Sequence, residues 1–219
     1  MAGSCLVLAK IDRHVYIGKR APITSRRAAM PAHPRKDELA EKALELFDRD
    51  GFHAVGIDRI IAEAGVAKMT LYNNFASKEA LILEALRRRQ EGFGRWLFER
   101  AERAGPSPRA RLLGVFDALG EWFAAKGFHG CLFIRAAGEY PALGDPVHRF
   151  AARHKQALRR RLGAMAAEAG VVDAEGLSHQ LAILVDGAIV AAQVAGRREA
   201  AADARRAATA LLDAAGAKK

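Results

Sequence analysis

From Ala67 to Lys78 the chain reads AKMTLYNNFASK, a run whose residue types are suited to a particular kind of recognition chemistry. If the segment is helical, Leu71 and Phe75 lie four apart on one face and can be buried. Lys68, Met69, Thr70, Tyr72 and Asn73 are then left pointing outward. Such a set is odd for a plain surface helix and well suited to base edges and phosphates. A lysine donates to guanine, an asparagine amide bonds adenine, and a methionine packs on the thymine methyl group. Two plainer readings compete: simple helix packing for Met69, and a half-buried core position for Tyr72.

These side chains need a scaffold, and the preceding residues supply one. In IDRIIAEAG, Ile57, Ile60, Ile61 and Ala64 fall at i, i+3, i+4 and i+7 and form a single apolar stripe. Gly65 offers the positive-φ position that closes a helix and reverses the chain. Ser77 is placed to cap a third helix, with Glu79 in its first turn. The pattern is a helix-turn-helix whose second helix can lie in a DNA major groove.

Residues 35 to about 86 resemble the DNA-binding domain of the TetR family of bacterial transcriptional repressors. The likeness is carried by ELAEKALELFDRDGF, by IDRIIAEAGVAKMTLYNNF and by the SKEAL that opens the next helix. It covers about a quarter of the chain. Tyr72 and Lys78 resemble family positions that hold the phosphate backbone. Three residues depart from the family pattern: Gly56 and Ala67 stand where capping hydroxyls are usual, and Met69 replaces a frequent glycine. A lost capping hydroxyl weakens a helix by about 1 kcal/mol, although glycine at a cap costs only a few tenths. Because those hydroxyls can also touch phosphate, the backbone contacts of this chain are expected to differ from the family's.

Composition narrows the fold. In 219 residues rich in Ala, Leu, Arg and Glu, strand-like alternation is nearly absent, so an all-α protein is expected. Cys5 and Cys131 form neither a disulfide framework nor a metal-ligand spacing, which fits a reducing cytoplasm. The most apolar run, 181–195, is interrupted by Asp186 and Gln193, and no stretch is expected to span a membrane. The formal charge of +10 divides as +5 over 1–34, zero over 35–90 and +5 over 91–219. Net charge alone would therefore not locate the DNA-binding segment. Asp37, Glu38, Glu41 and Glu45 favour the start of the first helix. Arg35, Lys36, Lys68 and Lys78 are expected on the other side, against DNA.

Three segments are expected. Residues 1–34 read as disordered or as a mis-assigned leader ahead of a natural start at Met30, in preference to a basic arm reaching along DNA. Residues 35–86 form the three-helix DNA-binding domain, with a first helix over about 35–49 bearing Leu39, Ala43, Leu46 and Phe47. Residues 87–219 form a larger helical domain for effector binding and dimerisation. A long helix runs from 78 to about 103 and links the two. Ser107-Pro108 and Asp145-Pro146 each combine a cap with a helix-starting proline, opening helices that end near 127 and 170. A short helix is expected over 131–140. The last two helices, about 173–195 and 199–215, are apolar nearly all round and alanine-rich respectively. Each can therefore serve its own core with one face and a second copy with another.

The rings Phe93, Trp96, Phe116, Trp122 and Phe133, together with Phe123, are expected around one cavity in the second domain, with His154 and Asp186 as polar members. An ordinary core is the competing reading for every ring, and for His154 on its apolar stripe. The resemblance implies a pocket whose ligand, apolar or aromatic with a few polar handles, releases DNA. His179, Asp186 and Gln193 recur every seven residues and share a face, lining the pocket or setting dimer register. Arg153, Lys155, Arg159, Arg160 and Arg161 read as a solvated face. His129 and Cys131 stand close together, but no second pair of ligands supports a metal site.

These features point to a homodimeric repressor that binds a near-palindromic DNA operator and responds to a small-molecule effector. A constitutive regulator whose second domain only dimerises is the alternative within the same class. An enzyme would need a nucleophile–base pair, paired carboxylates or a metal set, and none occurs at persuasive spacing, so no catalysis, cofactor or metal is expected.

Overall fold

A computed structural model describes residues 34–218; among them it has nine α-helices and no strand. The expectations for the leader and for Met30 lie outside the described residues. The helices are α1 (Pro34–Asp50), α2 (Ile57–Ala64), α3 (Lys68–Asn74), α4 (Lys78–Glu102), α5 (Pro108–Ala124), α6 (Leu132–Glu139), α7 (Pro146–Glu168), α8 (Ala174–Ala195) and α9 (Ala200–Ala214). All but one of the starts and stops that the sequence reading gave fall within two residues of those observed. The exception is α5, which ends at Ala124, three residues before Gly127.

Local chemistry sets these limits. The Ser77 and Ser107 hydroxyls accept from the N–H groups of Ala80 and Ala110, at 3.1 and 3.2 Å. The carboxylates of Asp145 and Asp173 do the same for Val147 and Gly176, at 2.7 and 2.8 Å. Each satisfies an N–H that the first turn of a helix leaves without a partner. Gly65 closes α2 at φ 65° and ψ 35°, a conformation that strains any side chain bearing a Cβ. Gly56 and Ala67 occupy the caps of α2 and α3 with no side-chain hydrogen bond, as their residue types dictate.

Helices α1, α2 and α3 pack with the first turns of α4 around Leu39, Phe47, Phe52, Ile60, Leu71 and Leu86, all fully buried. The α2 stripe holds: Ile60 is inside, and Ile57, Ile61 and Ala64 pack against the core from its edge. Helix α4 runs without a break past the 86/87 position, and the apolar core is continuous from α1 to α9. At Gly114, α5 presses onto α4 so closely that a Cβ would stand 2.7 Å from the Ala101 carbonyl oxygen.

The expectation that no stretch reaches a membrane span needs correction. Helix α8 is 22 residues long with a mean hydropathy of 1.4 over its apolar window, enough to cross a bilayer by length and composition. In the fold it lies between α7 and α9 and buries Leu177, Leu181, Val185 and Ile189, which accounts for part of that hydropathy.

Candidate functional site

Helix α3 presents its outer face on a rigid base. Leu71 is fully buried, Phe75 is nearly so, and Lys36 of α1 lies over the Phe75 ring at 5.5 Å. On the outer side Met69 is 69% and Tyr72 45% exposed, which sets aside a core role for either. Lys68 and Asn73 are exposed as well, while Thr70 is half-buried and its carbonyl accepts the Asn74 amide at 2.7 Å. Lys68 is paired with Asp58 of α2 at 3.3 Å, and both side chains are largely in solvent. Such a pair contributes about 0–1 kcal/mol and gives way readily to a phosphate. Arg35 is exposed and faces Glu38 at 3.8 Å. Lys78 opens α4 half-buried; burial holds its pKa below the usual lysine value, and the charge of Glu139 opposes that shift.

Helix α6 clasps this part of the molecule from the far side. The Glu139 carboxylate accepts the N–H groups of Phe52 and His53, at 3.1 and 2.6 Å. The Arg135 guanidinium donates to the carbonyls of Phe47 and Asp48 at the end of α1, at 3.3 and 3.1 Å. Tyr140 stands over His53 with ring centres 4.8 Å apart. The residue before α6, Cys131, and its second residue, Phe133, line a cavity in the larger helical part. One eight-residue helix thus touches both regions.

That inner cavity, about 30 Å³, lies between α4, α5, α6, α7 and α8, and Phe93, Trp122, Phe133 and His154 are in its wall. An outer groove of about 370 Å³ between α4 and α7 shares Phe93 and His154 with it. The His154 ring stacks on Phe133 with centroids 3.5 Å apart. Burial, with the Lys155 charge adding to it, pushes the His154 pKa down to about 4. The imidazole is therefore neutral near pH 7.

Four residues expected around the cavity do not line it, and the first, Phe123, is buried with its ring against Trp122 and Phe128. Phe116 is fully buried in the core, outside the cavity wall. Trp96 sits half-buried against Phe93, 5.5 Å between ring centres, outside the cavity wall. Asp186 stands behind the wall and binds Lys155 at 2.5 Å. Lys155 is consequently not part of a solvated face. Burial works against its charge, yet Cys131 and Asp186 more than offset this and hold its pKa above the ordinary lysine value. The face shared by His179, Asp186 and Gln193 turns toward α7 and the 129–131 loop: His179 meets Arg159 at 3.0 Å, and the Gln193 amide covers Gly130. Among the described residues no group of three or more His, Cys, Asp or Glu could hold a metal ion.

Sequence reasoning missed Arg89 and Lys155 in the cavity wall, and Arg135 and Glu139 at the clasp. A signal for the first two was present. Ile82, Leu86, Arg89, Phe93 and Leu97 repeat at helical spacing, as do Ala151, Lys155, Leu158 and Leu162. A cation on a buried stripe differs from one on a solvated face. Helix α6 gave no comparable signal.

Comparison with known proteins places this geometry. Residues 39–85 match the family described as bacterial regulatory proteins, tetR family, and residues 108–208 match the tetracyclin repressor-like C-terminal domain. Among solved structures, the transcriptional regulator SAV143 of Streptomyces avermitilis is 30% identical with a TM-score of 0.76, covering 84% of this chain and 100% of that one. SCO4454 of Streptomyces coelicolor is 29% identical with a TM-score of 0.77, over 83% of this chain and 95% of that one. Among curated relatives, the regulator YjdC of Escherichia coli is 28% identical over 123 residues, 56% of this chain and 64% of that protein. The repressor KstR2 of Mycobacterium tuberculosis is 38% identical over 95 residues, 42% of this chain. The chain spans 46% of the length of KstR2, and so less than two thirds of either curated relative.

Proposed function

Since this chain belongs to the TetR family of bacterial transcriptional regulators, we propose that it is a homodimeric repressor that holds a near-palindromic operator and releases it when a small, largely apolar effector occupies the helical domain. The observation that carries the reading is the outer face of α3. Lys68, Met69, Tyr72 and Asn73 stand exposed on a helix whose inner face is anchored by Leu71 and Phe75. Lys68, Met69, Thr70 and Asn73 meet base edges, while Arg35, Lys36, Tyr72 and Lys78 hold phosphates.

A single seven-residue reading helix covers too few base pairs to be specific, so two copies are needed. Helix α8 supports a two-fold seam. Ile183, Val190 and Val194 lie on one face of it and are 70%, 42% and 80% exposed. In the dimer the two α3 helices enter successive major grooves about 34–36 Å apart. An effector that binds the DNA-incompetent form more tightly shifts α4, and with it that separation. The small size of the inner cavity favours one second reading, a constitutive regulator in which the helical part only dimerises.

Fluorescence anisotropy of the purified protein against its own upstream intergenic DNA tests the proposal. Salt-sensitive binding is expected, weakened by Lys68→Ala and by Tyr72→Phe. Arg35→Ala, at a phosphate-holding position, should lower the slope of log K against log salt by about one. If neither that fragment nor duplexes selected from a random pool bind, the reading fails. Thermal stabilisation by an apolar compound separates the effector-responsive form from the constitutive one.

A further inference from the structure

The wall of the inner cavity carries two cations and no carboxylate. Arg89 comes from α4 and Lys155 from α7. Their counter-ions approach from behind, Asp48 of α1 reaching Arg89 at 2.7 Å and Asp186 of α8 reaching Lys155 at 2.5 Å. Neither carboxylate lines the cavity. The Nε of Arg89 is buried and has no acceptor among the described residues. A buried donor left unpaired is costly, and a guanidinium retains directions of donation that one carboxylate on Nη2 does not use. The rest of the wall is mostly apolar, with Phe93, Trp122, Phe133 and His154 presenting rings.

We propose that the effector is an anionic amphiphile, an aryl or alkyl carboxylate, with its carboxylate held by Arg89 and Lys155 and its apolar body among Phe93, Trp122, Phe133 and His154. The inference rests on the effector-responsive reading above and specifies its ligand. A planar carboxylate matches the donor fork of a guanidinium and supplies the acceptor that Arg89 Nε lacks. A neutral amide of the same shape offers one acceptor oxygen where the carboxylate offers two, and gains nothing from either charge. Entry is from the outer groove, because Phe93 and His154 belong to both spaces and their displacement joins them. The choice of cation also gives the ligand a route to the DNA-binding helices: the carboxylate competes with Asp48, which belongs to α1.

The test uses the full chain and matched pairs of probes. Naphthoates, and straight-chain acids of about six to ten carbons, are each paired with the corresponding primary amide. Binding is read by calorimetry and thermal shift, and operator release by anisotropy. At least one acid is expected to bind about tenfold or more tighter than its amide and to release DNA. That preference should collapse to about twofold or less in Lys155→Met. Asp186→Asn removes the competitor for Lys155 and should tighten the acid severalfold, an opposite change that loss of folding cannot imitate. If amides bind as well as acids and also release DNA, the anionic class falls and effector control stands. An acid preference that persists unchanged in Lys155→Met, or is weakened in a folded Asp186→Asn, overturns the assignment of the site. If neither series binds a protein that holds its operator, the anionic class and effector control both fall.

Discussion

His154 shows what burial does to a single side chain and how that reaches the stability of the whole. Unfolded, it takes its proton near pH 6.5; in the fold, stacked on Phe133 and mostly shielded from water, it does so only at about 4. Between those values the unfolded chain binds more protons than the native one. The stabilisation is thus complete above pH 6.5 and drains away as the pH falls toward 4. Lowering the pH from 7 to 5 should cost about 2 kcal/mol by this group alone. Urea midpoints at the two pH values should converge in His154→Gln, relative to the native protein, by that amount. The sequence placed His154 on an apolar stripe, which is half-buried, and it placed Leu71 and Phe75 under α3, because period and residue type agree at those positions. It misplaced Lys155, since a lysine among arginines reads as solvated until the stripe it interrupts is counted. Phe116, Trp96 and Asp186 show the complementary difficulty. That a ring is buried, or an acid shares a helix face, does not say which side of a wall it occupies.

At the scale of helices, boundaries were legible wherever an end is set by chemistry within a few residues. Ser77, Ser107-Pro108 and Asp145-Pro146 all start helices as their types require. The uncapped starts of α2 and α3 are also written locally. Ala67 has the extended backbone of a capping residue, φ −72° and ψ 150°, but no oxygen to offer. Ala67→Ser should therefore raise stability by about 1 kcal/mol in thermal or urea unfolding. The docking of α6 is different in kind, because its partners lie some 86–88 residues away in sequence. Glu139→Ala leaves the Phe52 and His53 N–H groups without their acceptor and should cost about 1–3 kcal/mol. Protection of those two amides from hydrogen exchange should fall in the same variant. Ala67 shows its effect in its own residue type, whereas Glu139 acts through a contact that only the tertiary fold creates.

For the molecule as a whole, the stripe of Ile183, Val190 and Val194 gives the dimer proposal its most direct test. Val194→Asp should convert the protein to monomers in size-exclusion chromatography with light scattering, and should weaken operator binding without unfolding the reading helix. A monomer seen in the native protein at micromolar concentration would count against the seam. The DNA-binding helices have a further property. Several of their cations are already matched by their own acids: Arg59 with Asp50, Lys68 with Asp58, and Arg88 with Asp37, Glu41 and Glu84. Random duplex is held almost wholly by uncompensated cations. A head that neutralises much of its own charge is therefore expected to cling only weakly to random duplex, leaving fewer molecules stranded along the rest of a chromosome.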